Sequence, residues 1–511
     1  MKQIKLITFL TLTICLFNLT LSCSKTDDVI DVVEEVIPPE ENETEQPIVL
    51  SNEVNDFVWL GLNEVYLWQN EIANLADDKF SNTDEYYTFL NTYDTPENLF
   101  EDLLYKRGDV DKFSFIVDDY RALNNAFQGI SKSNGLDIGL VRLGNTNDIF
   151  GFVSYVANNS DAASKDIKRG DFFLSVDNQQ LTVDNYGDLL FGDNASYTLG
   201  MATITNNTIE HNGKNISLTK TEFTESPIHI SKVIETQGIK VGYLMYNSFI
   251  ANFDNDLNTA ITDLKSQGIT ELVLDLRYNP GGRVTSALAL CSMITGQFNG
   301  DVLIKEQWNT KYQSYFEQED PEYLINRFPN ALLDGTSISS LNLNKVYILT
   351  TDGTASASEL IINGLDPYID VVQIGTNTTG KYTASVTLYD SENFGETNAN
   401  PNHTYALQPL VYKSANVNGV SDYFNGLTPD YLMTYQTSTG ATAEGENLLN
   451  LGTLGDINEP FLAKALSLIT GTTTKASQAN KAFIGLDVKH IGGSKDFNPL
   501  RNGMYTTLKI N

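Results

Sequence analysis

Three regularities predict a multidomain α+β chain, with a small helical N-terminal domain, a β-rich middle domain and an α/β core. Apolar residues of 52–128 fall at helical spacing. Those of 135–220 form short β runs between turns. From 227 to 439, strands alternate with helices. A length of 511 residues exceeds what one domain ordinarily holds, and 41% hydrophobic residues suffice for ordinary cores.

The first 22 residues read as a secretory signal. Lys2 and Lys5 precede an apolar run from Leu6 to Leu21, too short and too interrupted by Asn18 for a comfortable membrane span. The run ends in Leu19-Thr20-Leu21-Ser22-Cys23, which resembles the lipobox of bacterial lipoproteins, with Thr20 where Leu is usual. That resemblance implies acylation of Cys23, with the membrane reached through the lipid anchor only. Residues 23–51 then form an acidic linker: nine acidic residues and one Lys lie between 24 and 50, with Pro38, Pro39 and Pro47. Such a composition cannot bury enough apolar area to fold. An acidic stretch behind the anchor also resembles the surface-export signal of Bacteroidetes lipoproteins. The expected location is therefore the cell envelope, at the periplasmic or the outer face of the outer membrane.

Residues 52–128 form the helical domain. Val54, Phe57, Val58, Leu60, Leu62 and Tyr66 trace its apolar face, and Trp59 and Trp68 add core bulk. In 129–222 the strand candidates are 138–143, 149–156, 172–176 and 216–219. A short helix and a Gly170 turn precede the third. This order looks like a PDZ domain, a module that adds an extended peptide to a sheet edge. By that resemblance Leu136, Ile138, Gly139 and Leu140 would form the carboxylate loop and adjoining strand. Residues 223–440 carry the α/β core, with strands at 240–246, 271–276, 345–350 and 371–374 and helices at 256–266, 281–295 and 357–365. Alternation of this kind predicts a mostly parallel sheet. The C-terminal extension, 441–511, shows one helix at 458–470, and its last stretch carries no legible pattern.

Charge and cysteines exclude several classes. With 33 basic and 65 acidic residues the net charge is −32, so nucleic acid is repelled. The three cysteines, Cys15, Cys23 and Cys291, permit no disulfide framework and no Cys/His metal spacing. Cys291 sits in an apolar run, as a buried inert thiol would. No metal or cofactor is expected, and nothing in the sequence speaks to oligomeric state.

Three stretches carry candidate chemistry. In Asp275-Leu276-Arg277-Tyr278-Asn279-Pro280-Gly281-Gly282 a strand runs into a glycine turn that can point backbone N–H groups at an anion, or can merely be tight. In Thr354-Ala355-Ser356-Ala357-Ser358-Glu359 a strand enters a sharp turn and a helix begins. A serine there is either a helix cap or an exposed nucleophile beside N–H groups that favour an oxyanion. In Thr379-Gly380-Lys381 a lysine follows a polar loop, where an ordinary surface lysine is the alternative.

Together the three resemble the C-terminal processing (tail-specific) peptidase family, with its Asp-Leu-Arg-x-Asn-x-Gly-Gly strand, Ser-Ala-Ser-Glu elbow and Gly-Lys loop. The 25-residue step from Ser356 to Lys381 matches the family's nucleophile–base spacing. The resemblance covers roughly 135–439 in the family's domain order. It implies a crotonase/ClpP-like serine protease core and protein or peptide substrates. Ser356 would be the nucleophile, Lys381 its base, and Ala357 with Gly281 or Gly282 the oxyanion donors. Two positions depart from the pattern: Thr354 stands for Ser, and Ser385 stands where the family commonly has Gln to orient the lysine.

Chemistry constrains that assignment. His211, His229, His403 and His490 are the four histidines, and none lies in these stretches, which disfavours a Ser-His-Asp triad. A lysine can serve as base if its pKa falls by about 3 from the reference near 10.4, a cost of ~4–5 kcal/mol that burial can impose. Lys381 should therefore be buried and within reach of Ser356. Two rivals remain: a ligand-binding protein on the same core, and a surface adhesin supported thinly by Trp59 and Trp68.

Overall fold

The computed structural model describes residues 47–205, 208–436, 442–472, 488–497 and 503–508. The leader, Cys23 and the acidic linker up to residue 46 lie outside them. Residues 48–511 make one compact unit.

Helix α1 (Glu53–Val65) starts where the Asn52 side chain accepts the Val54 N–H. It buries Val54, Phe57, Val58, Trp59, Leu62 and Val65, while Leu60 points outward at 43% exposure. The sequence pattern had put Leu60 on the apolar face, but it stands about a third of a turn off that stripe. Helices α2 (Thr83–Leu90), α3 (Pro96–Asp102) and α4 (Tyr120–Phe127) follow, capped by Asn82, Thr95 and Asp119. These short helices cannot enclose a core of their own, and apolar residues of α1, α2 and α3 join the same cluster as the α/β core. The strand Phe115–Val117 pairs antiparallel with Ala406–Gln408, stitching this region into the body of the molecule.

The β-rich module contains β1 (Leu136–Leu143), β2 (Ile149–Val156), β3 (Phe172–Val176), β4 (Ser196–Thr205) and β5 (Thr208–Thr219), which neighbour one another in that order. The helix expected before β3 is a single 3-10 turn, Ala162–Ser164. Inward residues of these strands form a separate hydrophobic cluster around Leu140, Val153, Phe173 and Leu199.

The core sheet has β6 (Ile228–Thr236), β7 (Ile239–Tyr246), β8 (Glu271–Asp275), β10 (Lys345–Thr350), β11 (Asp370–Gly375) and β14 (Tyr431–Leu432), with β9 (Val302–Trp308), β12 (Thr383–Val386) and β13 (Leu410–Asn416) in a second sheet. From β7 onward the first sheet is parallel, and only β6 runs against it. Helices α5 (Asp254–Ser266), α6 (Val284–Thr295) and α8 (Ala357–Leu365) cross between its strands, while α7 (Thr310–Glu319) follows β9. Helix α6 is apolar nearly all round and almost wholly buried, with Cys291 in its middle.

Beyond the core, α9 (Pro460–Thr470) packs on the other face of the parallel sheet. The stretch in which the sequence showed no pattern holds two further strands, β15 (Val488–Gly493) and β16 (Tyr505–Thr506). Both are short and polar on one side, so neither periodicity nor propensity marks them; their partners do. Among the described residues no helix is long and apolar enough to cross a membrane.

Candidate active site

Strand β10 ends at Thr350, and the chain turns sharply to begin α8 at Ala357. Ser356 at the apex has φ 66° and ψ −113°, a conformation that costs a non-glycine residue about 1–3 kcal/mol unless its surroundings impose it. They do so through several bonds. Thr354 Oγ1 donates to the Leu276 carbonyl at 2.9 Å, the Ala355 N–H to Asn279 O at 3.1 Å, and Ser358 Oγ to the same carbonyl at 3.0 Å. Thr354 therefore does what a serine hydroxyl would do there.

The Asn-Pro-Gly-Gly turn packs directly under the elbow. Gly281 has φ 109°, and a β-carbon on it would lie 2.7 Å from Ser356 Cβ and 3.0 Å from Ala357 N. Only glycine allows that approach. Its N–H, however, donates to Asn279 Oδ1 at 2.9 Å. Of the two glycines expected as alternative donors, Gly281 is committed to the turn, because the asparagine side chain closes a local loop two residues on. Ala357, the first residue of α8, has an N–H of the kind a helix leaves without an internal acceptor. Gly282, at φ 135°, is the neighbouring candidate.

Glu359 is the residue that sequence reasoning quoted but did not assign. Its carboxylate is fully buried and accepts from Ser356 N (2.7 Å), Lys381 N (2.8 Å), Gly380 N (2.7 Å) and Thr378 Oγ1 (2.5 Å). One side chain thus ties the serine elbow to the lysine loop. Burial pushes its pKa up against those hydrogen bonds. The available signal was the Ser-x-x-Glu spacing of a capping box.

Lys381 is 2% exposed, with Nζ 4.9 Å from the centre of the Phe113 ring. Burial holds its pKa down to about 7, outweighing the attraction of Asp111 and Glu359. Asp111 and Phe113 come from the N-terminal region, so the segment read as a separate helical domain supplies part of the surroundings of this amine. Ser385, on β12, donates its N–H (2.9 Å) and its hydroxyl (3.2 Å) to the carbonyl of Met504, and accepts from Gln408 Nε2 at 2.9 Å. Ser356 Oγ accepts the Met504 N–H at 2.5 Å, and a β-carbon on the adjoining Gly503 would lie 2.7 Å from Lys381 Nζ. The serine and the lysine therefore converge on the same two consecutive residues of the C-terminal extension.

The Asp-Leu-Arg strand end has a different task. Arg277 is fully buried and pairs with Asp275 (2.8 Å), Glu459 (2.8 Å) and Glu446 (2.9 Å). Arg169 of the β-rich module joins Glu446 at 2.6 Å. These ion pairs bind the extension and the module to the core. Of the four residues expected to receive a peptide, Ile138, Gly139 and Leu140 lie along β1 beside β15, and Leu136 begins that strand. His403 pairs with Asp390 at 2.9 Å, away from these motifs. Among the described residues no group of three His, Cys, Asp or Glu could hold a metal ion.

Comparison with known proteins agrees with this layout. Residues 240–432 match the model of peptidase family S41, and residues 53–115 match the peptidase S41 N-terminal domain. A "Probable CtpA-like serine protease" of Staphylococcus epidermidis is 29% identical over 159 residues, 30% of this chain and 28% of that one. A "Carboxyl-terminal-processing protease" of Picosynechococcus is 26% identical over 171 residues, 33% of this chain and 35% of that one. The matched segments thus span about a third or less of those relatives. A crystal structure from Bacteroides fragilis, provisionally assigned as an S41 protease, superposes with TM-score 0.59 at 24% identity, covering 82% of this chain and 98% of that one. It shows a shared fold.

Proposed function

Because the chain belongs to peptidase family S41, we propose that it is a serine endopeptidase that cleaves polypeptides through a Ser356–Lys381 dyad. The observation that carries the reading is the convergence of a strained, buried serine and a buried lysine, its pKa near 7, on one backbone segment. A serine hydroxyl is a weak nucleophile until a base removes its proton, and an amine with pKa near 7 is substantially neutral at neutral pH. In this reading Lys381 takes the Ser356 proton as Oγ attacks the scissile carbonyl. The N–H of Ala357, at the N-terminus of α8, and that of Gly282 would face the oxyanion, each donor contributing roughly 3–4 kcal/mol. The amine, now protonated, returns its proton to the leaving nitrogen, and water releases the acyl group.

The β-rich module is read as PDZ-like, presenting polypeptide strands along β1 through the edge that holds Ile138, Gly139 and Leu140. Acylation of Cys23 would tether the enzyme to the cell envelope through the acidic linker. A phosphonate probe that labels Ser356 in the wild type and not in Ser356→Ala supports the peptidase. If wild type and Ser356→Ala label alike and cut a loosely folded protein at the same rate, the assignment is wrong.

A further inference from the structure

The chain carries a segment that already lies where a substrate would. Strand β15 adds to the free edge of the β-rich module by pairing antiparallel with β1, setting His490 against Val141, Gly492 against Leu140 and Gly493 against Gly139. The pairing extends beyond the ladder. The Ser494 N–H donates to the Ile138 carbonyl at 2.9 Å, and the Ile138 N–H donates to Ser494 Oγ at 2.9 Å. Gly493 approaches so closely that a β-carbon on it would lie 2.4 Å from Ile138 O. Behind it Phe497 stacks on Phe191, with ring centres 4.6 Å apart, and meets Tyr186 edge-on. Phe497 and Ile491 both pack against the module's hydrophobic cluster. This is recognition by strand addition, with an aromatic side chain as anchor.

The same extension enters the catalytic cleft further on. Strand β16 runs parallel to β12, where Ser385 N–H holds Met504 O. On its other side the Tyr505 N–H donates to Gly282 O at 3.2 Å, and Tyr505 forms a parallel bridge with Arg283. Met504 is fully buried, and Tyr505 stacks on Phe127 at 3.9 Å. The backbone is therefore paired on both sides, with the Met504 N–H on the Ser356 hydroxyl and Gly503 against the Lys381 amine. The cavity remaining beside it measures about 70 Å³, room for a few waters.

We propose that residues 488–497 and 503–508 act as an intramolecular pseudosubstrate, the first occupying the strand-adding edge of the β-rich module and the second the cleft at Ser356, so that the enzyme is latent until a polypeptide displaces them. The inference rests on the peptidase reading for its word "latent", and on geometry alone for the occupancy. It also defines the competing ligand: an extended polypeptide with a small residue against Lys381, a large apolar one beside it, and an aromatic for the module. Being tethered, the segment meets its grooves at high effective concentration, and two contacts on one chain reinforce each other. Loosening either contact should weaken both.

The test compares the full chain with Met504→Lys and with the double variant Ile491→Asp/Phe497→Asp. Reactivity is read as the rate of Ser356 labelling by a fluorophosphonate and as kcat/KM on a quenched peptide centred on Gly-Met. Both should rise about tenfold or more in each variant. A fluorescent synthetic peptide of residues 488–508 should bind Met504→Lys saturably and raise KM without changing kcat. Binding is scored by anisotropy, so it does not depend on turnover. Saturable binding without hydrolysis would uphold the occupancy while removing the peptidase reading. Unchanged labelling in both variants together with no saturable binding would overturn the proposal, even if the enzyme hydrolyses the quenched peptide.

Discussion

Arg277 and Lys381 are both cations buried in the core, and the protein treats them in opposite ways. Around Arg277 it assembles three carboxylates within 2.9 Å, and their attraction raises the guanidinium's pKa despite complete burial. Around Lys381 the balance tips toward burial, and the amine falls to about 7 although Asp111 and Glu359 oppose the shift. Under the proposed mechanism the difference separates a joint from a reagent. A permanently charged, fully compensated group holds segments together, because removing it leaves several carboxylates buried without their partner. An amine poised near neutrality can take and return a proton.

That contrast yields graded predictions. Replacing the reagent should have the largest effect: Lys381→Met should lower kcat/KM by roughly a thousandfold or more, as for other members of catalytic units. Its melting temperature should hold or rise, since a buried amine is removed. A Lys381→Met enzyme that melts early and keeps its activity would reverse the two roles. Next, Arg277→Gln should cost about 3–5 kcal/mol of stability, seen as a lower denaturant midpoint. A midpoint unchanged from wild type would show that Asp275, Glu446 and Glu459 do not need it.

The pH profile gives a tenfold effect per unit. With Lys381 as the proposed base the neutral amine is the active form, so log kcat/KM should rise with slope one below about pH 7 and level off above it. A profile flat from pH 5 to 8 would remove Lys381 as the base. Smaller still, Glu359→Gln removes a charge that favours protonated Lys381, so the midpoint should move to lower pH. An upward move would contradict the stated balance of forces. Last, Cys291 tests burial with no charged partner at all. Its thiol pKa is driven well up by burial alone, so peptide mapping should find Cys291 unmodified by a thiol reagent in the folded protein. Rapid modification would mean α6 is not enclosed.

How much of this was legible beforehand depends on the range of the signal. The strands 149–156, 172–176 and 345–350 and the helix 357–365 coincide with β2, β3, β10 and α8, because apolar runs and turn residues are local. The elbow at Ser356 and the glycine beneath it were visible for the same reason, since a strained turn needs particular residues in sequence. Which of Gly281 and Gly282 is left free to donate could not be read, because the acceptor that claims the Gly281 N–H is a side-chain oxygen whose direction no pattern states. Phe113 and Asp111 escaped notice, lying some 270 residues before the lysine whose surroundings they shape.

Chain-local chemistry thus dictated which segments coil, which extend, and where a hydroxyl would sit on a sharp bend. Proximity between distant segments was decided by folding alone. The pKa of Lys381 depends on how completely other parts of the chain exclude water from it. Strands β15 and β16 exist because an edge of the module and a cleft in the core offer backbone groups to pair with. A hydrogen-bonding edge has no sequence signature in the strand that it recruits.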